Sequence, residues 1–178
     1  VLHARRTEHP ILDLSLMRIP TFRLSVLGGS LARITQGAQP FLLPLMMQLG
    51  FGLTAAQSGA MTVATAIGSF GMKGVARRLL HRFGFRSSLV VMGVLGTAAY
   101  AVCGLFRPDW PLPAIFAVLV VSGFLMSFQF TAYNTIAYDE IGKERMSSAT
   151  SFYSTFQQLM LSLGICVGAS ALHLSMLG

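Results

Sequence analysis

Arg33, Gln36 and Pro40 follow one another at steps of three and four within an otherwise apolar stretch, with Pro44 a turn further on. A helix would set all four on one face. The chemistry such a face can do is recognition rather than bond-making. A guanidinium offers five donors and a fixed charge, and a glutamine amide both donates and accepts. Each proline leaves a carbonyl one turn back without its donor. A face of this kind suits a water-filled cavity. In the other reading Arg33 lays its stem along apolar surface and carries its head to an interface. Arg33 stands about ten residues into the stretch, or about 15 Å at 1.5 Å per residue. That places it near mid-membrane, where a cavity or inter-helix role is the better account.

Two further stretches carry polar stripes. Ser127, Thr131, Asn134 and Tyr138 share one face, with Gln129 and Tyr133 on another. Ser147, Ser151, Ser154, Gln158 and Ser162 form a second stripe, with Gln157 and Tyr153 beside it. Either stripe could line a substrate path or bond to a neighbouring helix. Asn134 and Gln158 join Arg33, Gln36 and Pro40 as candidate cavity residues. Thr62, Thr65, Ser69 and Lys73 make a fourth polar face, on which Lys73 reads as a snorkelling lysine. No Asp or Glu falls in the middle of any apolar run, so these runs lack the carboxylates that proton relays use.

Signals of catalysis are missing. There is no G-x-S-x-G, no H-E-x-x-H and no Walker A loop, so neither an enzyme nor ATP-driven transport is indicated. Cys103 and Cys166 both lie in apolar runs, with no C-x-x-C pair and no metal-ligand spacing to the histidines. They read as small packing residues, and nothing calls for a metal or a cofactor.

The elements that position these residues are long and apolar. Of 178 residues, 53% are hydrophobic and 11% charged, against about 25% charged in a soluble domain. The mean hydropathy is +0.65. The periodicity predicts an all-α, polytopic membrane bundle of about five helices, over residues 21–50, 55–80, 87–106, 112–138 and 147–177. A crossing needs about 20 residues. Residues 1–20 read as a cytoplasmic or interfacial lead-in, with Pro10 and Pro20 bracketing a short segment at the membrane surface. FGLTAAQSG, HRFGFR, RPDWPLP and DEIGKERMSS carry the Gly, Pro and charge expected of loops. Glycine pairs within the runs (Gly28 and Gly29, Gly68 and Gly71, Gly93 and Gly96, Gly164 and Gly168) suit close helix packing.

The net charge of +7 is spread over short loops rather than along one face, which argues against a nucleic-acid partner and for membrane topology. Arg5, Arg6, Arg18 and Arg23 precede the first helix, Arg77, Arg78, Arg82 and Arg86 lie between the second and third, and Lys143 and Arg145 lie between the fourth and fifth. The positive-inside rule puts these three regions in the cytoplasm. The two loops of the opposite side hold only Arg107 and Asp109. The chain begins at Val1 and shows no signal peptide, and five helices would leave its end on the outer side. Both features lead us to expect a piece of a longer protein.

The segment GVARRLLHRFGFRSSL resembles the cytoplasmic loop signature of the major facilitator superfamily. Arg82, Gly84 and Arg86 fit its Arg-x-Gly-x-basic part, Gly74 stands for its leading glycine, and His81 replaces its aspartate. The second copy of this loop is often degenerate in these transporters, so the departure fits a C-terminal half. FRLSVLGGSLARITQGAQPFLLPLMMQLGFGLTAAQSG, FQFTAYNTIAYDEI and MSSATSFYSTFQQLMLSLGICVGA resemble the drug:proton antiporter branch with fourteen helices. The resemblance covers residues 11–178. It implies the larger part of the C-terminal half of a secondary transporter of the inner membrane. Such a protein exports a hydrophobic or cationic small molecule in exchange for protons. The implied partners are the lipid bilayer, the N-terminal half of the same transporter, the substrate and protons. The alternative from another class is a non-transporting membrane scaffold or assembly subunit.

Overall fold

Pro20 opens the first long helix at the position where a missing backbone N–H costs nothing. The computed structural model describes residues 13–177, without the side chains of residues 76, 77, 80, 81, 83, 85, 86 and 175–177. Among the described residues all regular structure is helical. The long helices are α1 (Pro20–Leu45), α2 (Ala55–Phe83), α3 (Phe85–Gly104), α4 (Leu112–Asp139) and α5 (Met146–Leu177). A 3₁₀ turn, Leu14–Arg18, precedes α1, and another, Lys143–Arg145, precedes α5.

Pro40 and Pro44 do not end α1. The chain stays helical through both and then widens into a π-helical turn at Met46–Gly50. The Ser58 hydroxyl donates to the Pro44 carbonyl at 3.4 Å. The turn is left through Gly52, whose φ of 67° lies in the left-handed region. Helix α2 then starts on a reciprocal cap. Thr54 N–H donates to the Gln57 side chain at 3.0 Å, and Gln57 N–H donates to the Thr54 hydroxyl at 3.3 Å.

The basic HRFGFR segment is not the loop expected of it. Helix α2 continues to Phe83, and Gly84 alone, at φ 73°, separates it from α3. Without a Cβ, glycine takes this conformation at little cost, so a single residue suffices to start a new helix.

The chain divides into two compact units, residues 1–42 with 133–178 and residues 43–132. In the first unit α1 and α5 run parallel. Phe22 packs on Phe152 and Tyr153, and, further along both helices, Gly37 and Ile34 meet Leu161 and Gly164, and Ala38 and Leu42 meet Gly168. A methyl on Gly37 would strike the main chain of Leu161, and one on Gly164 the carbonyl of Ile34. The helices are therefore in backbone contact. The core of this unit, beside them, is Leu16, Phe22, Val26, Ala137, Ile141, Ala149, Phe152 and Tyr153.

The second unit uses the same device. Helices α2 and α4 run parallel, from Ala64 beside Leu119 to Met72 beside Phe128. A methyl on Gly68 would strike the carbonyl of Val120, and one on Gly123 that of Thr65. In both pairs each glycine sits on the carbonyl of the residue three before its partner glycine. The Ser69 hydroxyl donates to the Gly123 carbonyl at 3.2 Å, and that of Ser127 to the Ser69 carbonyl at 3.5 Å. Helix α3 lies antiparallel on α4: Met92 and Leu89 pack by Phe128 and Ala132, and Val102 and Phe106 by Leu119 and Ile115. Buried Gln129 faces Gly93 and Gly96.

Candidate functional site

Helix α1 places Arg33 about 20 Å from Pro20, at 1.5 Å per residue. The side chain is only 3% exposed. A helical side chain leans toward the N-terminus of its own helix, and Gly29 lies one turn back in that direction. A methyl on Gly29 would collide with the guanidinium of Arg33. The glycine thus leaves the space that the charged head occupies.

Helix α5 supplies the partner. Arg33 Nη2 donates to the Tyr153 hydroxyl at 2.5 Å, and its Cζ lies 4.6 Å from the centre of the same ring. Tyr153, 2% exposed, therefore meets the cation with both its hydroxyl and its π-face. Both interactions strengthen when water is excluded. The ring is fixed from behind by Phe22 at 6.1 Å and edge-on by Tyr138 at 5.6 Å, centroid to centroid. Phe152 in turn packs on Phe22 and stacks on Phe156. From α4, Tyr133 stands over Gly28.

The other sequence candidates are spread across this unit. Gln36 is half-buried one turn beyond Arg33, and Asn134 is half-buried on α4, whereas Pro40 and Gln158 are exposed. Arg33 bonds Tyr153, which stood beside a polar stripe in the sequence and was not singled out as a candidate. The two are 120 positions apart, and nothing in the spacing of either helix pairs them. The α5 stripe is open on this chain: Ser147, Ser154, Gln158 and Ser162 are exposed and Ser151 half-buried.

The basic motif falls in the second unit. Gly74 is an exposed position within α2, Arg82 is exposed in its last turn, and Gly84 is the break before α3. Arg86 stands in the first turn of α3, and its side chain, like that of His81, lies outside the described residues. Lys73 is exposed, with Nζ 5.1 Å from the centre of the Phe70 ring.

The described part of the lead-in packs on the rest of the first unit. Leu16 is fully buried in the core of the first unit, with Ile141 and Ala149. Arg145 binds Asp13 at 2.6 Å and donates to the Ser15 hydroxyl. Thr21 donates to Glu140 at 2.8 Å. Residues 1–12, including Arg5, Arg6 and Pro10, lie outside the described residues.

Among the described residues three helices are long and apolar enough to cross a bilayer: Ser87–Gly104, Leu112–Asp139 and Lys143–Leu174. Helices α1 and α2, of 26 and 29 residues, have the length but are more polar, with Arg23, Arg33, Gln36 and Gln39 on α1 and Gln57, Lys73, Arg78 and Arg82 on α2. The fold is an all-α membrane helix bundle. Residues 2–165 match the family model of the Major Facilitator Superfamily, and the chain belongs to that family of transporters. It is similar to proteins named multidrug resistance protein MdtD in Pectobacterium atrosepticum, at 36% identity over 93% of this chain and 36% of the relative, and in Salmonella heidelberg, at 32% over 97% and 37%. It is likewise similar to the transport protein HsrA of Haemophilus influenzae, at 33% over 97% and 37%. The chain spans a little over a third of the length of these relatives.

Proposed function

We propose that this chain is the larger part of the C-terminal half of a secondary transporter. The whole protein would export a hydrophobic or cationic small molecule in exchange for protons, as a multi-pass protein of the inner membrane. The N-terminal half of the same transporter would supply the opposing wall of the cavity and the carboxylates that carry protons. The observation that carries this reading is the family match across residues 2–165. The names of the relatives, multidrug resistance and transport, support the substrate class.

Physical features of the chain point the same way. All five helices would cross. The parallel packing of α1 with α5 and of α2 with α4, and the antiparallel packing of α3 on α4, are what alternate crossing requires. The exposed stripe of Ser147, Ser154, Gln158 and Ser162 lies on a helix apolar enough to span. Lipid is a poor neighbour for such a stripe, and a polar cavity completed by further chain is a good one. Arg33, Gln36, Pro40 and Asn134 would belong to the same cavity. Gly74, Arg82, Gly84 and Arg86 would steady one state of the alternating cycle.

Efflux of a lipophilic cationic dye from vesicles holding the whole transporter, with internal pH followed at the same time, tests this. Dye export coupled to proton entry, lowered by Gln158→Leu at unchanged protein level, is the expected result. Stable insertion with neither dye nor proton movement would favour the scaffold reading.

A further inference from the structure

The lead-in is fastened at several points to a single element, the connection between α4 and α5. Asp13 accepts from Ser15 N–H at 2.9 Å and so caps the 3₁₀ turn Leu14–Arg18. The same carboxylate binds Arg145 across 132 positions of sequence at 2.6 Å, and Ser15 takes the same guanidinium. Thr21 bonds Glu140 on the far side of the connection. Between these polar clasps Leu16 is driven into the core, while its neighbour Leu14 is exposed. Polar contacts thus fix the register, and one leucine provides the apolar anchor.

What the clasp touches gives it a consequence. Leu16 shares one apolar cluster with Ile141 of the connection and with Ala149, Phe152 and Tyr153 in the first turns of α5. Met17, Ile19, Tyr138 and Met146 pack against that cluster. Tyr153 bonds Arg33 with its hydroxyl and lies under its guanidinium. A continuous packed path therefore runs from Asp13 and Arg145, through Leu16, to the Arg33–Tyr153 contact.

We propose that residues 13–21 form a latch that closes on the α4–α5 connection through Asp13–Arg145, Thr21–Glu140 and Leu16, and that its closure holds Tyr153 against Arg33. Release of the latch frees the first turns of α5 and loosens the cation. The role in transport rests on the function proposed above, whereas the latch itself does not, and the two are read by separate measurements.

The test is a charge swap in the intact protein, read in two ways. Hydrogen–deuterium exchange over residues 13–21 reports closure directly, because Ile19 N–H is bonded to the Leu16 carbonyl at 3.0 Å. Efflux of a lipophilic cationic dye reports coupling. Asp13→Arg and Arg145→Asp should each raise exchange about fivefold, the upper end of what a partly exposed ion pair gives. The double variant should return exchange and efflux toward wild type. Asp13→Asn, which keeps shape and removes charge, gives a smaller rise and covers the case in which a reversal fails to fold. Unchanged exchange in the single variants, or no recovery in the swap, overturns the latch. Restored exchange with efflux indifferent to every variant overturns its link to Tyr153 and Arg33. A wild-type protein that moves no dye while exchange follows the swap counts against the transport reading and leaves the latch standing.

Discussion

Burying an arginine in a helix bundle costs several kcal/mol unless the charge is compensated, so its partners determine what it can do. Tyr153 meets Arg33 twice, with its hydroxyl and with its ring. The Tyr153 hydroxyl removes about 1.5–3 kcal/mol from that cost if it behaves as other hydrogen bonds to charged groups do. Tyr153→Phe keeps the ring, so it should destabilise the protein by about that amount and leave the cation over a π-face. Gly29→Ala should displace the flexible head of Arg33 from its place beside Tyr153, because the methyl occupies the position of the guanidinium. Arg33→Lys should rescue only partly, since an ammonium cannot reproduce the planar fork. Thermal unfolding in detergent ranks the three, and a wild-type midpoint for both Gly29→Ala and Tyr153→Phe would show that Arg33 is held elsewhere. Arg33 itself was legible in the sequence as a lone charge in an apolar run. Its partner was not, because tyrosine beside a polar stripe has no feature that marks it as the end of a contact 120 positions away.

At the scale of elements, the two parallel helix pairs depend on glycine at four positions. Each is a backbone contact in which a methyl has no room. Gly164→Val and Gly123→Val should each force their pair apart, at about 1–3 kcal/mol or more for overpacking. Gly104→Ala, with open space around it, should cost little. Equal unfolding midpoints for all three would show that the helices can part freely. Gly68 and Gly164 were visible in the sequence as close-packing sites, whereas Gly37 and Gly123 were not singled out and Gly71, paired with Gly68 by spacing, has open space around it. Which helices meet at these sites was not legible, since a small residue does not name its neighbour. The sequence put the break between α2 and α3 at HRFGFR, but that Gly84 alone makes it was not legible, for a related reason. A cluster of basic residues resembles a loop by composition, but arginine and leucine favour helix, and one glycine with positive φ was enough to turn the chain. The latch also belongs to this scale. Burial alone would raise the Asp13 carboxyl, but hydrogen bonds from Ser15 and Arg145, with the Arg145 charge, outweigh it and hold Asp13 below its ordinary value. A lowered pKa means stability that is present above the unfolded value and lost as pH falls through the folded one. The difference in unfolding midpoint between wild type and Asp13→Asn should therefore hold steady from about pH 8 to 5 and close only below the ordinary carboxylate range. Asp139, Glu140 and Glu144, the other carboxylates about the α4–α5 connection, are the same in both proteins, so the comparison isolates Asp13. A difference that shrinks already near neutrality would mean that Arg145 does not govern this carboxylate.

For the molecule as a whole, topology turns on the two polar helices. The fold class and family were legible because composition argues against a soluble domain and because three longer stretches, with a partial loop motif beside them, resemble the superfamily. The number of crossings is harder to read, since α1 and α2 carry polar residues that lower their hydropathy: Arg33, Gln36 and Gln39 on one, Lys73 and the basic end on the other. Apolar character is a requirement only where a helix meets lipid, and a helix lining a cavity escapes it on one face. Helices α1 and α2 would then cross with the rest, and α3 would carry Ser87 and Asp109 to opposite sides of the bilayer. Both residues are exposed, Ser87 in the first turn of α3 and Asp109 in the loop beyond its end, and α3 is one of the three helices of clear spanning character. Single cysteines at each, in a background lacking Cys103 and Cys166, should react with an impermeant maleimide from different sides, Ser87→Cys only from the cytoplasm and Asp109→Cys only from outside. A third cysteine at Gly52, between α1 and α2, decides the rest. Labelling of Gly52→Cys from the same side as Asp109→Cys requires α2 to cross. Labelling from the side of Ser87→Cys would put α2 wholly on one face of the membrane and end the five-crossing arrangement.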